Sequence, residues 1–115
     1  MNEKMEQAAM SIILHAGDAR LYCKKALDAL AVMDVEEAEK NMVDAQKKIT
    51  EAHKVQTDAI QKEASGEKAE YFLLFAHAQD TLMTIYSEIN IAKQLIKIFN
   101  NFDKRVSLLE EDRRK

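Results

Sequence analysis

A histidine and a carboxylate lie one helical turn apart in the run Phe75-Ala76-His77-Ala78-Gln79-Asp80-Thr81-Leu82-Met83-Thr84. A neutral imidazole is nucleophilic near pH 7, because its ordinary pKa is about 6.5. It can accept a phosphoryl group and pass it on, a reaction that demands positioning and charge stabilisation more than elaborate covalent machinery. Asp80 offers oxygen to a cation, and Gln79 an amide that can hydrogen-bond beside a phosphoryl group. His77 and Asp80 can point at one ion, but two ligands from one chain fall short of a closed zinc site. The same pair could equally set register within a helix interface, as buried polar groups sometimes do. Spacing alone leaves both readings open.

The other reactive side chains read as structural. His15 lies beside an apolar seam and His53 in the middle of a helical segment, each a packing or hydrogen-bonding residue. Cys23, the lone cysteine, has no partner for an internal disulfide and falls in an apolar stripe, where it behaves as a small hydrophobe. A Ser-His-Asp hydrolase would need a strand-turn nucleophile element and a glycine-rich oxyanion loop, and neither is present. Walker-type phosphate loops are also missing, which argues against direct use of ATP.

The elements that must hold these residues are helices. The 115 residues include no proline and two glycines, and Ala, Leu, Lys, Glu, Gln and Met lose little freedom on a helical backbone. Met5, Ala9, Ile12, Ala16, Ala19, Cys23, Ala26 and Leu30 alternate steps of four and three, which keeps one seam on one face. Asp34 then marks a helix start, with Glu37 at the spacing that reaches back to the same backbone. Val35, Ala38, Met42, Ala45, Ile49, Ala52, Gln56 and Ala59 form a second seam, which Ser65-Gly66 is expected to end, with Glu67 suited to the first turn of the next helix. Phe75, Ala78, Leu82, Ile85, Ile89, Ala92, Ile96 and Phe99 form the third. The expectation is an all-α antiparallel three-helix bundle in a single domain over residues 1–115, with residues 1–4 and about 103–115 frayed.

The third segment carries a second series on its reverse side: Leu73, His77, Asp80, Thr84, Ser87, Ile91, Gln94 and Ile98. Two seams on one helix imply two sets of neighbours, so the reverse side is expected to meet other subunits. Alanine-rich seams bury little area per residue, and association would supply the missing burial. Heptads by themselves leave dimers, trimers and tetramers open.

Seventeen basic against twenty acidic residues give a net charge of −3, without the concentrated positive face that nucleic-acid phosphates require. No nucleic acid is expected as a partner. No apolar run approaches the ~20 residues that span a bilayer, and no signal-peptide pattern is visible, so no membrane insertion and a cytoplasmic location are expected.

The His-Ala-Gln-Asp element with Leu-Met-Thr behind it resembles the phosphorylation motif of the enzyme IIA component of the lactose/cellobiose class of sugar phosphotransferase systems. Three further segments resemble the same family in the same order: Ala16-Gly17-Asp18-Ala19-Arg20, Glu36-Glu37-Ala38-Glu39 and Glu51-Ala52-His53-Lys54-Val55-Gln56-Thr57. The likeness covers roughly residues 8–98. It implies that His77 is phosphorylated by the histidine-containing phosphocarrier protein and passes the group to a cysteine of the cognate enzyme IIB. It also implies a homotrimer with the third helix near the threefold axis, where Asp80 of each chain converges on a divalent cation, expected to be Mg²⁺. The sugar stays open among lactose, cellobiose and a chitin-derived disaccharide, because specificity in such systems resides largely in the membrane component. One departure stands out, since the family often has a second histidine directly after the aspartate and this chain has Thr81. A helical scaffold without catalysis is the rival reading.

Overall fold

The computed structural model describes residues 3–64 and 73–115. It contains three helices, α1 (Glu3–Ala31), α2 (Val35–Ala64) and α3 (Leu73–Arg114), and no strand among the described residues. The expected seams are the core. Ala9, Ile12, Ala16, Ala19, Cys23, Ala26 and Leu30 of α1 are buried, as are Phe75, Ala78, Leu82, Ile85, Ile89, Ala92 and Ile96 of α3. Between them α2 contributes Ala38, Met42, Ala45, Ile49, Ala52 and Ala59. Met5 and Phe99, the outer members of their seams, are only partly buried.

Among the described residues, half of the buried apolar side chains are alanines, and the largest fully buried ones are Ile12, Ile49, Leu82, Ile85 and Ile89. Small side chains let the backbones approach, but each removes little area from water, so a few isoleucines and one leucine carry much of the hydrophobic stabilisation.

The α1–α2 connection has a definite local cause. Met33 adopts φ of 67°, its N–H donates to the Leu30 carbonyl at 3.0 Å, and the Asp34 N–H donates to the Ala29 carbonyl at 2.9 Å. This pair of bonds is the Schellman arrangement that satisfies the last carbonyls of a helix, with methionine where glycine is usual. Asp34 then caps α2, its carboxylate accepting from the Glu37 N–H at 3.1 Å. The reciprocal half of the expected capping box does not form. The Asp34 N–H is already committed to Ala29, and the Glu37 carboxylate instead accepts from the Asn41 amide at 3.2 Å.

Cross-helix pairs set the register. His53 of α2 meets Tyr86 of α3 edge-on, with ring centroids 4.9 Å apart and planes at 84°, and Lys93 Nζ donates to Gln46 Oε1. On the other side Arg20 of α1 holds Glu88 of α3 through two parallel bonds, Nε to Oε1 at 2.9 Å and Nη2 to Oε2 at 2.8 Å. Residues Ser65, Gly66 and Glu67, expected to end α2 and open α3, lie outside the described residues. The charged tail continues α3 to Arg114, and every residue from 104 to 115 is exposed. The whole measures 71 × 20 × 18 Å.

Candidate functional site

His77 stands in the second turn of α3 as described and is exposed. Its position follows from the period of the helix: Phe75, Ala78 and Leu82 turn inward, which puts His77, Asp80 and Thr84 on the far side. Asp80 and Thr84 are exposed too, while Gln79 and Thr81 are half-buried. No hydrogen bond or ion pair among the described residues engages His77, Gln79 or Asp80. The imidazole is thus open to approach, and its helix is gripped from behind by the core. A ring presented this way can meet a macromolecular donor without any rearrangement of the subunit.

Phe75 is only 8% exposed because it is the first core residue of α3. Leu73 and Met83, at 72% and 51% exposed, are the large apolar groups beside the histidine that face outward.

The other two histidines are held by structure. His15 Nδ1 lies 2.8 Å from the Ser11 carbonyl and Nε2 3.0 Å from the Glu51 carboxylate, so its ring bridges α1 to α2. His53 is wedged against Tyr86, and its buried Nε2 has no hydrogen-bond partner among the described residues. Burial pushes the Cys23 thiol above its ordinary value, with the Glu88 carboxylate adding to the effect. A group so held is a poor thiolate, which removes it as a competing nucleophile.

The Arg20–Glu88 clamp was not legible from sequence, because nothing in a 68-residue separation marks two surface charges as partners. Its hydrogen bond to Glu88 raises the pKa of the Arg20 guanidinium.

The metal reading can be tested against the donor set. Among the described residues no three His, Cys, Asp or Glu side chains converge. Asp80 is a single outward carboxylate on the reverse face, and it fits a cation only if further copies bring theirs to the same ion. Oxygen donors of that kind suit Mg²⁺, which keeps several waters and takes few protein carboxylates.

Comparison with known proteins bears on the whole bundle. Residues 7–100 match the family described as PTS system, Lactose/Cellobiose specific IIA subunit. The chain belongs to this family. It is 41% identical over 105 residues to the lichenan-specific phosphotransferase enzyme IIA component of Bacillus subtilis, spanning 91% of this chain and 96% of that one. It is 34% identical over 108 residues to the lactose-specific EIIA component of Lacticaseibacillus casei, spanning 94% and 93%. Among solved structures, the cellobiose-specific enzyme IIA from Bacillus anthracis superposes with a TM-score of 0.83 at 36% identity, covering 90% of this chain and 95% of that one. The chitobiose IIA of Escherichia coli, solved in complex with HPr, superposes with a TM-score of 0.72 at 28% identity, covering 89% and 99%. As a IIA subunit this protein is a phosphotransferase component, a phosphoryl carrier of a sugar phosphotransferase system. No described helix is long and apolar enough to cross a membrane.

Proposed function

We propose that His77 is the residue that carries the phosphoryl group, accepting it from HPr and giving it to a cysteine of enzyme IIB during uptake of a lactose- or cellobiose-type disaccharide in the cytoplasm. The observation that carries this reading is the exposure of His77 on a helix whose other face is locked in the core. The remaining histidines are occupied, His15 by Ser11 and Glu51 and His53 by Tyr86. The HPr partnership is supported by the E. coli chitobiose IIA relative, whose structure is that of its complex with HPr. Gln79, half-buried two residues on, is assigned a supporting role in hydrogen-bonding near the phosphoryl group.

In this reading the subunit works as a homotrimer, with the reverse faces of α3 together and Asp80 of each chain at a shared divalent cation. Three carboxylates brought close would repel strongly at pH 7 unless they shared such an ion or took up protons. The cation would neutralise them and hold the helices together, and His77 would do the chemistry. Thr81, one turn along from His77, offers a hydroxyl where many relatives would offer a second imidazole.

Incubation with phosphoenolpyruvate, enzyme I and HPr, followed by weighing the intact chain, tests the assignment. The wild-type chain should gain one phosphoryl group and His77→Ala none, with unchanged helix content. Labelling of the His77→Ala variant would move the site elsewhere.

A further inference from the structure

The distal part of α3 has no neighbour in its own bundle. Lys93 stands against Gln46, eleven residues in from Val35 at the start of α2, so Val35 lies level with about residue 104, and α1 ends near the same height. The remaining turns of α3 project roughly 16 Å past the bundle at 1.5 Å per residue. They also project past the family match, which ends at residue 100. A helix of that length is marginal in water without a surface to pack on.

The projecting turns are not uniformly polar. Ile91, Leu95 and Ile98 recur eleven residues later as Phe102, Val106 and Leu109, and all six are between 45% and 67% exposed. Steps of four and then three repeat in both triplets, and a step of four joins them. An eleven-residue period is 3.67 residues per turn, close to the natural pitch of a straight helix, so the stripe keeps to one side over more than five turns. It continues the reverse-face series that contains His77, Asp80 and Thr84. Leu108, also exposed, lies off the stripe by about a third of a turn.

We infer that this stripe is a parallel, in-register contact between copies of this chain, a helical clamp that extends the assembly beyond the family-matched residues. The inference rests on the reading that the reverse faces of α3 meet. A second copy is the occupant that fits, because an eleven-residue repeat stays matched over two periods only against a helix of the same period. The flanking charges agree: Arg105 and Glu110 lie on opposite sides of the stripe and five residues apart, the offset at which flanking residues of parallel neighbours meet across a seam. In register, Phe102, Val106 and Leu109 of one copy would each face their own kind.

Sedimentation equilibrium of the full chain tests the clamp. Phe102→Glu combined with Leu109→Glu should raise the dissociation constant at least about tenfold, with any loss of helix confined to the projecting turns, whereas Leu108→Glu should leave both unchanged. Leu109→Cys should form a disulfide between copies on mild oxidation, above the background set by buried Cys23. If Thr84→Arg dissociates the assembly but the Phe102/Leu109 pair has no effect, the clamp is refuted while the body seam stands. If the wild-type chain is monomeric at every concentration, both fall. Equal weakening by Leu108→Glu, or no disulfide at 109, would also overturn the clamp.

Discussion

At the scale of single residues, His77 and Cys23 show how position decides reactivity. Both are nucleophiles by type, yet the helix turns one into solvent and the other into the core. Because His77 has no hydrogen bond or ion pair among the described residues, its replacement by alanine should change stability by less than about 0.5 kcal/mol while abolishing phosphorylation. Thermal melting and intact-mass measurement read the two effects separately. Cys23 makes a pH prediction with a definite sign. Its folded thiol titrates above the ordinary value of 9.0, so at alkaline pH the folded chain holds a proton that the unfolded chain has released. Stability is therefore undiminished below pH 9 and falls as pH rises past it. Urea titrations at pH 8 and pH 10 should show this loss, with a smaller one in Cys23→Ala once its constant cavity cost is subtracted.

At the scale of elements, the α1–α2 corner and the α3 core face are the parts whose energetics can be isolated. Met33 sits in a left-handed conformation that costs a non-glycine residue about 1–2 kcal/mol. Glycine would relieve that but bring more freedom to the unfolded chain, so Met33→Gly should stabilise by under about 1 kcal/mol. Asp34→Ala should destabilise by about 1 kcal/mol, since it strips the cap from the Glu37 N–H. Leu82 is fully buried, and Leu82→Ala should cost about 2–5 kcal/mol. Equilibrium urea unfolding measures all three. The two corner substitutions should leave phosphoryl acceptance alone, because the corner is remote from His77 along the bundle.

At the scale of the whole molecule, the proposed function turns on a face that the subunit does not cover. The core side of α3 is closed by α1 and α2, while the reverse side leaves Asp80, Thr84, Ile91 and Ile98 exposed. A lone copy in water would present that apolar surface along with an uncompensated carboxylate. If Asp80 of neighbouring copies shares a divalent cation as proposed, chelation or Asp80→Ala should remove it, and metal analysis of the purified protein reads this directly. Trimers of Asp80→Ala with undiminished cation content would show the ion to be held elsewhere. The substitution should leave the helicity of each subunit intact, since Asp80 contributes no hydrogen bond or ion pair to its own chain among the described residues.

Much of this was legible in the linear chain because helix periodicity is local. Steps of three and four placed nearly every buried residue on its seam, including Ile12, Ile49 and Leu82, and the same rhythm placed His77 opposite Phe75 and Ala78. The shared outward face of His77 and Asp80 was legible for the same reason, since a histidine and an aspartate three residues apart share a face whenever the backbone is helical. What the tertiary structure alone decided depends on how the helices lie against one another. The pairing of Arg20 with Glu88, the seat of His15 on Glu51 and of His53 on Tyr86, and the extent to which α3 outruns its partners follow from relative register, which no single segment encodes. The capping box failed on the same ground: the Asp34 N–H was claimed by the preceding helix through Met33, a choice between two competing acceptors that sequence spacing leaves undecided.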